Sequence, residues 1–244
     1  MDDARWREQL SQPTRALRLL RIGTALAFGS FERLRAAATP APLRISAAGL
    51  NHIPSNGGFV IAANHFSGAM SLVCVAAIVQ AVSRVRPKAK EHVLLIAGQR
   101  LNGDVAAPRS NPARLIANKV LGRWHTHLLR IPWRNPQASP AKLREWRKRC
   151  GNAISIVLPE GRNGLRLGDM RRGSGRWLAR MPVHTVPCAC WHEDGHWCVR
   201  FGGAIAWAAD DTLHDLQLGL NLARLLPAAL RVHWQADLDE WLAS

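Results

Sequence analysis

The sequence predicts an α/β domain, a mixed, partly parallel sheet flanked by helices, with an amphipathic helix before it. Two observations predict this. Short apolar runs bounded by turn residues alternate with helix-period stretches along most of the 244 residues. The composition, 48% hydrophobic and 20% charged, is globular and sufficient for one sizeable core. No internal repeat is visible, and no linker is long enough to split the alternating region. The expected organisation is therefore an N-terminal helical segment, 1–40, followed by one domain, 41–244.

The opening segment, 14–38, places Leu17, Leu20, Ile22, Ala25, Leu26, Phe28, Phe31 and Leu34 among Arg15, Arg18, Arg21, Arg33 and Arg35. Its arginines flank a mostly apolar centre. Such a helix suits a membrane interface, with cations on lipid headgroups, and it equally suits packing on the domain. Pro40 and Pro42 end it. Strands are then expected at 43–47, 59–63, 92–97, 127–133, 153–158, 185–191 and 197–201. Helices are expected at 69–82, 112–121, 140–150 and 173–179. The run 68–82 is shorter than the roughly 20 apolar residues a spanning helix needs, and reads as a buried helix. Leucines on both sides of 213–230 predict another buried helix, with Pro227 near its end. The acidic tail, 237–242, reads as a solvated cap.

Charge narrows the partners. Thirty-three basic against 17 acidic residues give a formal +16. Such a chain seeks anions: nucleic acid, an anionic membrane surface or phosphorylated substrates. No nucleic-acid-binding signature accompanies the charge, and tyrosine is absent. Lipid phosphate accounts for the arginine clusters without nucleic acid. The five cysteines are odd in number and no secretory signal is expected, so a reducing compartment fits better than a disulfide framework. Cys188, Cys190 and His192 alternate on one strand face, and His196 and Cys198 return after the Asp194-Gly195 turn. That arrangement is a candidate zinc site, but buried structural cysteines explain it more simply, and no metal is expected.

Three stretches carry chemistry. An apolar strand runs into Asn64-His65-Phe66-Ser67, and a histidine at a strand end is placed to act as a general base. A second strand ends in Leu158-Pro159-Glu160-Gly161, followed by Arg162, Arg166, Arg171, Arg172 and Arg176. Turn amides and guanidinium groups there would suit a phosphate. A third strand, entered through Met181-Pro182, carries Val186-Pro187.

In this order, the stretches resemble the phospholipid/glycerol acyltransferase family, which includes lysophosphatidate acyltransferase. The matching blocks are Asn64-His65, then Ile131-Pro132-Trp133-Arg134, then Leu158-Pro159-Glu160-Gly161, then Val186-Pro187. The lead-in Gly49-Leu50-Asn51-His52-Ile53-Pro54 and the Arg172-Gly173 helix start are also family-like. The resemblance covers roughly residues 43–205. It implies a glycerolipid-acyltransferase-like fold and transfer of a fatty acyl group from acyl-CoA or acyl carrier protein to a hydroxyl of a lysophospholipid or glycerol phosphate. His65 would be the general base. Asn64, Ser67, Arg134, Glu160, Gly161 and Arg162 would bind substrate, although Ser67 also suits a helix cap. No cofactor is implied beyond the acyl donor as co-substrate. The implied location is peripheral, on the cytoplasmic face of a membrane.

One departure matters. The family carries an aspartate five residues after the histidine, and this chain has Met70 there. A thioether neither orients an imidazole nor stabilises its charge. No Asp or Glu occurs between Glu32 and Glu91. Asp104, Glu160 or Asp169 could reach His65 only through the fold. A catalytically degenerate homologue that binds lipid or acyl carrier is therefore the alternative. Block two also has Leu128 where glycine is usual, and Arg162-Asn163-Gly164 replaces the usual Thr-Arg-Ser after block three, with Arg162 placed to supply the displaced cation one position early.

Overall fold

The computed structural model describes residues 44–65, 70–98, 128–131, 139–160 and 166–243. All lie in one compact unit, Leu43–Ala106 with His125–Ser244. The N-terminal segment 1–40, its boundary with the domain and the helix expected at 112–121 lie outside the described residues.

Seven strands form one sheet: β1 (Ile45–Ala48), β2 (Phe59–Ala63), β3 (Val93–Gly98), β4 (Leu128–Ile131), β5 (Ile154–Val157), β6 (Thr185–Glu193) and β7 (His196–Phe201). The helices are α1 (Met70–Val82), α2 (Ser139–Arg149), α3 (Ser174–Ala179), α4 (His214–Ala223) and α5 (Gln235–Ala243). Each expected strand is present, with ends shifted by a few residues at most. The sheet order is β1-β7-β6-β2-β5-β3-β4. Strands β2 to β6 run parallel, β7 returns antiparallel to β6, and β1 is parallel to β7.

The sequence explains which strands are central. Every residue of β2 (Phe-Val-Ile-Ala-Ala) and β5 (Ile-Ser-Ile-Val) is buried. A strand apolar on both faces needs cover on both, which a parallel sheet between helices provides. β1 alternates between half-buried and exposed residues and sits at the edge. The hairpin from β6 to β7 turns at Asp194 and Gly195, both with positive φ (48° and 76°), as a two-residue turn matched to strand twist requires.

Helices cover the two faces in a definite pattern. Val60, Ala62, Leu94, Ile96, Leu129 and Ile131 pack with Trp146 of α2, Leu178 of α3 and Leu218 of α4. The one polar residue of β5, Ser155, is fully buried and accepts a 2.9 Å hydrogen bond from the Trp146 indole. Ala189 and Trp191 of β6 pack with Leu220 and Leu222 of α4 on this same face. Cys190 points the other way, by strand alternation, and its thiol is hydrogen-bonded to Cys74 of α1. So α1, the helix after β2, lies on one face, and α3, the helix after β5, on the other. Because β2 and β5 are neighbours, their connections part above their C-terminal ends. In an open α/β sheet that parting is where a ligand crevice forms.

Two expectations at the C-terminus change. The helical run 213–230 is α4 alone, followed by short 3-10 turns at Ala228–Leu230 and Val232–Trp234. The acidic tail is solvated along Asp237, Asp239 and Glu240, as expected, but its other side is not. It is α5, with Leu238 buried beside Trp234 and Trp241 partly buried, an apolar stripe at positions 234, 238 and 241. The acidic residues between them had masked that stripe.

Close approach fixes how β2 enters the sheet. The Gly58 amide donates to the Gly151 carbonyl at 2.8 Å. A Cβ at Gly58 would lie 1.8 Å from the Cys150 carbonyl oxygen, which is main chain and cannot swing aside. Gly58→Ala should therefore lower stability by roughly 2–4 kcal/mol. Gly151→Ala, where the added methyl meets nothing within 4 Å, should stay within about 0.5 kcal/mol. Urea unfolding of both variants checks this; equal losses would contradict it.

Candidate functional site

The site follows from strand register. β2 and β5 pair in step from Phe59 with Ile154 to Ala62 with Val157, a constant offset of 95. Continuing past the strand ends, His65 stands abreast of Glu160. The structure joins them there: the His65 amide donates to Glu160 Oε1. The other carboxylate oxygen, Oε2, accepts the Gly168 amide at 2.6 Å. One side chain thus ties three segments together: the end of β2, the end of β5 and the chain entering α3. Glu160 is buried, 6% exposed, and His65 is half-buried.

Burial shapes the chemistry of Glu160. Desolvation pushes its pKa up from 4.5 to about 7, opposed by the Gly168 and His65 amides, which favour the carboxylate. Near neutrality the site therefore holds a carboxyl group poised between its two protonation states.

Asn64 performs a different task. It is buried, and its amide group faces the main chain of Cys190 on β6: Nδ2 donates to the Cys190 carbonyl at 2.9 Å, and Oδ1 accepts the Cys190 amide at 2.7 Å. The regular pairing of β2 with β6 ends at Ala63 and Cys188. The Asn64 side chain thus continues the ladder one step where the backbone departs. A residue with one donor and one acceptor on a short stem is what that position needs.

The chain after Glu160 is anchored beside it. The Leu167 amide donates to the Leu230 carbonyl at 2.8 Å and the Arg171 amide to the Pro159 carbonyl at 2.9 Å. The Trp234 indole donates to the Gly168 carbonyl at 3.3 Å. These bonds hold exposed Arg166, Arg171 and Arg172 at the same edge of the sheet as His65. Beyond them, Asp215 of α4 accepts the Gly173 and Gly175 amides, each at 2.6 Å, and so caps α3. Arg176, part of the same basic run, is engaged away from that edge by Asp211 at 2.5 Å.

Of the expected site residues, the structure brings His65 and Glu160 together at the β2–β5 crevice, while the Asn64 side chain turns to β6. Ser67, Arg134, Gly161 and Arg162 lie outside the described residues. Met70 opens α1. Of the acids weighed as partners for His65, Glu160 is adjacent through the main chain. Asp169 is exposed and faces His233 at 3.3 Å, while Asp104 lies outside the described residues. Sequence reasoning missed Gly168 and the Cys190 main chain. Equal spacing, with His65 and Glu160 each six residues after the first residue of its strand, was the available signal.

Four of the five cysteines are buried, and Cys198 is half-buried. Cys188 and Cys190 are buried on the α1 face, and burial raises both thiols well above their ordinary range. Among the described residues, no group of three His, Cys, Asp or Glu side chains is arranged to hold a metal ion.

No protein-family model matches the chain. No curated protein sequence matches it either. Among solved structures, one similar chain is the 1-acyl-sn-glycerophosphate (LPA) acyltransferase PlsC from Thermotoga maritima. The two are 13% identical, with 90% of this chain and 85% of that one covered and a TM-score of 0.48.

The Glu160 environment gives a signed pH dependence. The folded protein retains this proton up to about pH 7, whereas a carboxyl in the unfolded chain releases it near 4.5. Stability from this group is full below pH 4.5 and is lost as pH rises through 7, by about 3 kcal/mol in all. Glu160→Gln should flatten that loss, seen as a smaller fall in urea midpoint between pH 5 and 8. An unchanged pH profile would contradict it. Separately, Asn64→Ala leaves two buried Cys190 groups unpaired and should cost about 2–4 kcal/mol at any pH.

Proposed function

We propose that the chain is an acyltransferase of the phospholipid/glycerol type. It moves a fatty acyl group from acyl-CoA or acyl carrier protein to a hydroxyl of a lysophospholipid or glycerol-phosphate acceptor. One observation carries the reading: the histidine of the first sequence block and the glutamate of the third, 95 residues apart, meet at the β2–β5 crevice. Two motifs that resemble one family's blocks, brought together where an α/β sheet binds ligands, are better explained by one site than by two coincidences.

In this reaction the imidazole of His65 takes the proton of the acceptor hydroxyl. The resulting alkoxide attacks the thioester carbonyl and forms a tetrahedral oxyanion. The oxyanion collapses, the carbon–sulfur bond breaks, and the thiolate leaves with the proton His65 had accepted. No metal or bound cofactor takes part. Arg134, Gly161 and Arg162 belong to the acceptor site by resemblance. The anchored Arg166, Arg171 and Arg172 add cationic charge beside it, as an anionic headgroup requires. By the same resemblance, Ser67 would contact the acceptor.

The formal charge of +16 supports an anionic membrane surface as the partner, reached from the cytoplasmic side, rather than nucleic acid. Among the described residues, no helix is long and apolar enough to cross a membrane. Peripheral attachment through the 1–40 segment is the corresponding proposal.

A second reading has its own observation. Met70 occupies the position where the resembled family has its orienting aspartate, so a homologue that binds lipid or acyl carrier without turnover is the alternative. The two separate in one assay. Purified full-length protein is given detergent-dispersed lysophosphatidate and a panel of acyl-CoA donors, and released thiol is counted. The acyltransferase reading predicts turnover that His65→Ala lowers by about 10² to 10⁴-fold, the share general base catalysis supplies. Turnover that appears only in Met70→Asp would establish the non-catalytic reading instead.

A further inference from the structure

In the acyl-transfer reading, Met70 stands where the resembled family has the acid that orients its histidine. The fold supplies an acid of another kind. Glu160 is the acidic residue that strand register brings beside His65, and it grips the histidine by its main chain.

We infer that Glu160 is the positioning residue of this site: by bridging the His65 and Gly168 amides it fixes the main chain that carries the base, in place of the acid missing at position 70. The inference rests on the acyl-transfer reading for its kinetic consequence alone.

The geometry favours positioning over a direct grip on the acceptor. Both carboxylate oxygens accept main-chain N–H groups, and the side chain is buried. With both oxygens turned to main-chain donors, neither is aimed at an acceptor, and in its charged form the group would repel a phosphate. Its two partners stand on either side of the crevice. The His65 amide belongs to the end of β2, whose next helix covers one face of the sheet. The Gly168 amide belongs to the segment leading to α3, on the other face. Register alone places His65 near the crevice, and the bridge closes the two lips to one fixed spacing. The space around Glu160 is tight on the Gly168 side, where an added Cβ would lie 3.1 Å from Oε2. A general base must lie within about 3 Å of the proton it takes, and a displacement near 1 Å can cost 10²-fold in rate. Holding the main chain of His65 is therefore worth a catalytic factor although Glu160 touches no reacting atom.

The test uses the full chain, labelled with 15N-histidine and 15N-glycine, and two variants. Glu160→Gln sets an amide donor against one of the two N–H groups. Glu160→Asp keeps the charge but is too short by one methylene to span both. The His65 and Gly168 amides are followed by hydrogen exchange, with acyl transfer to lysophosphatidate measured alongside. The inference predicts protection of both amides in the native protein. It predicts a loss of roughly tenfold or more at one or both in each variant, the equivalent of losing a hydrogen bond to a charged group. It also predicts kcat lowered by about 10 to 10²-fold with the KM for lysophosphatidate changed by less than about twofold.

Unchanged exchange at both amides would overturn the inference. So would a raised KM with kcat intact, which would make Glu160 an acceptor ligand. Should neither variant fold, the native protein decides: exchange of both amides at the rate of exposed loops overturns the inference, and protection upholds it. If the native protein transfers no acyl group, the exchange result still stands alone, and it is the acyl-transfer reading that fails.

Discussion

The in-register parallel pairing of β2 with β5 is the constraint on which the rest depends. It requires two strands apolar on both faces, and Phe59 to Ala63 and Ile154 to Val157 meet that requirement. Such strands must be covered on both sides. Their following helices lie on opposite faces, and the crevice opens where the two chains part. The same register carries His65 to Glu160 across 95 residues of sequence. Gly58 admits β2 against the Cys150–Gly151 main chain, and the Trp146–Ser155 bond seats α2 on β5.

The site is costly to build, and its costs are met locally. Burying Glu160 works against the charged carboxylate, which is why its pKa rises to about 7. Two main-chain amides offset part of that penalty, and one of them, the His65 amide, lies just past the end of β2, where the ladder stops. Asn64 resolves the same problem one residue earlier, on the β6 side. Asn64 and Glu160 thus serve first to finish the sheet. In the proposed reaction, any effect of theirs on chemistry would pass through the position they give His65. This arrangement makes folding and function share residues, so kinetic effects at Glu160 or Asn64 require a structural readout beside them.

Much of the fold was legible in the sequence because apolar runs and their punctuation are local signals. The strands at 59–63, 153–158 and 185–191 announce themselves by composition, and Asp194-Gly195 by its turn chemistry. The C-terminal helix was hidden because Asp237, Asp239 and Glu240 dominate a stretch whose apolar stripe is only Trp234, Leu238 and Trp241. The candidate site was legible as separate blocks, not as an arrangement. Nothing local in Leu158-Pro159-Glu160 says that the carboxylate turns inward to amides rather than outward to a phosphate. That outcome depends on the segment returning at Gly168, and its position is set by Leu230 and Trp234 far along the chain. Long-range closure of this kind leaves no periodicity to read.

The central claim is that the β2–β5 crevice presents His65 to the hydroxyl of an anionic lipid acceptor. A crystal structure of the full-length protein with lysophosphatidate bound tests it most directly. The account predicts the glycerol hydroxyl within about 3 Å of a His65 ring nitrogen, hydrogen-bond reach for proton transfer. It also predicts the phosphate among the arginines that follow Glu160. A lipid seated elsewhere on the protein, with the His65 ring turned away from it, would contradict the account.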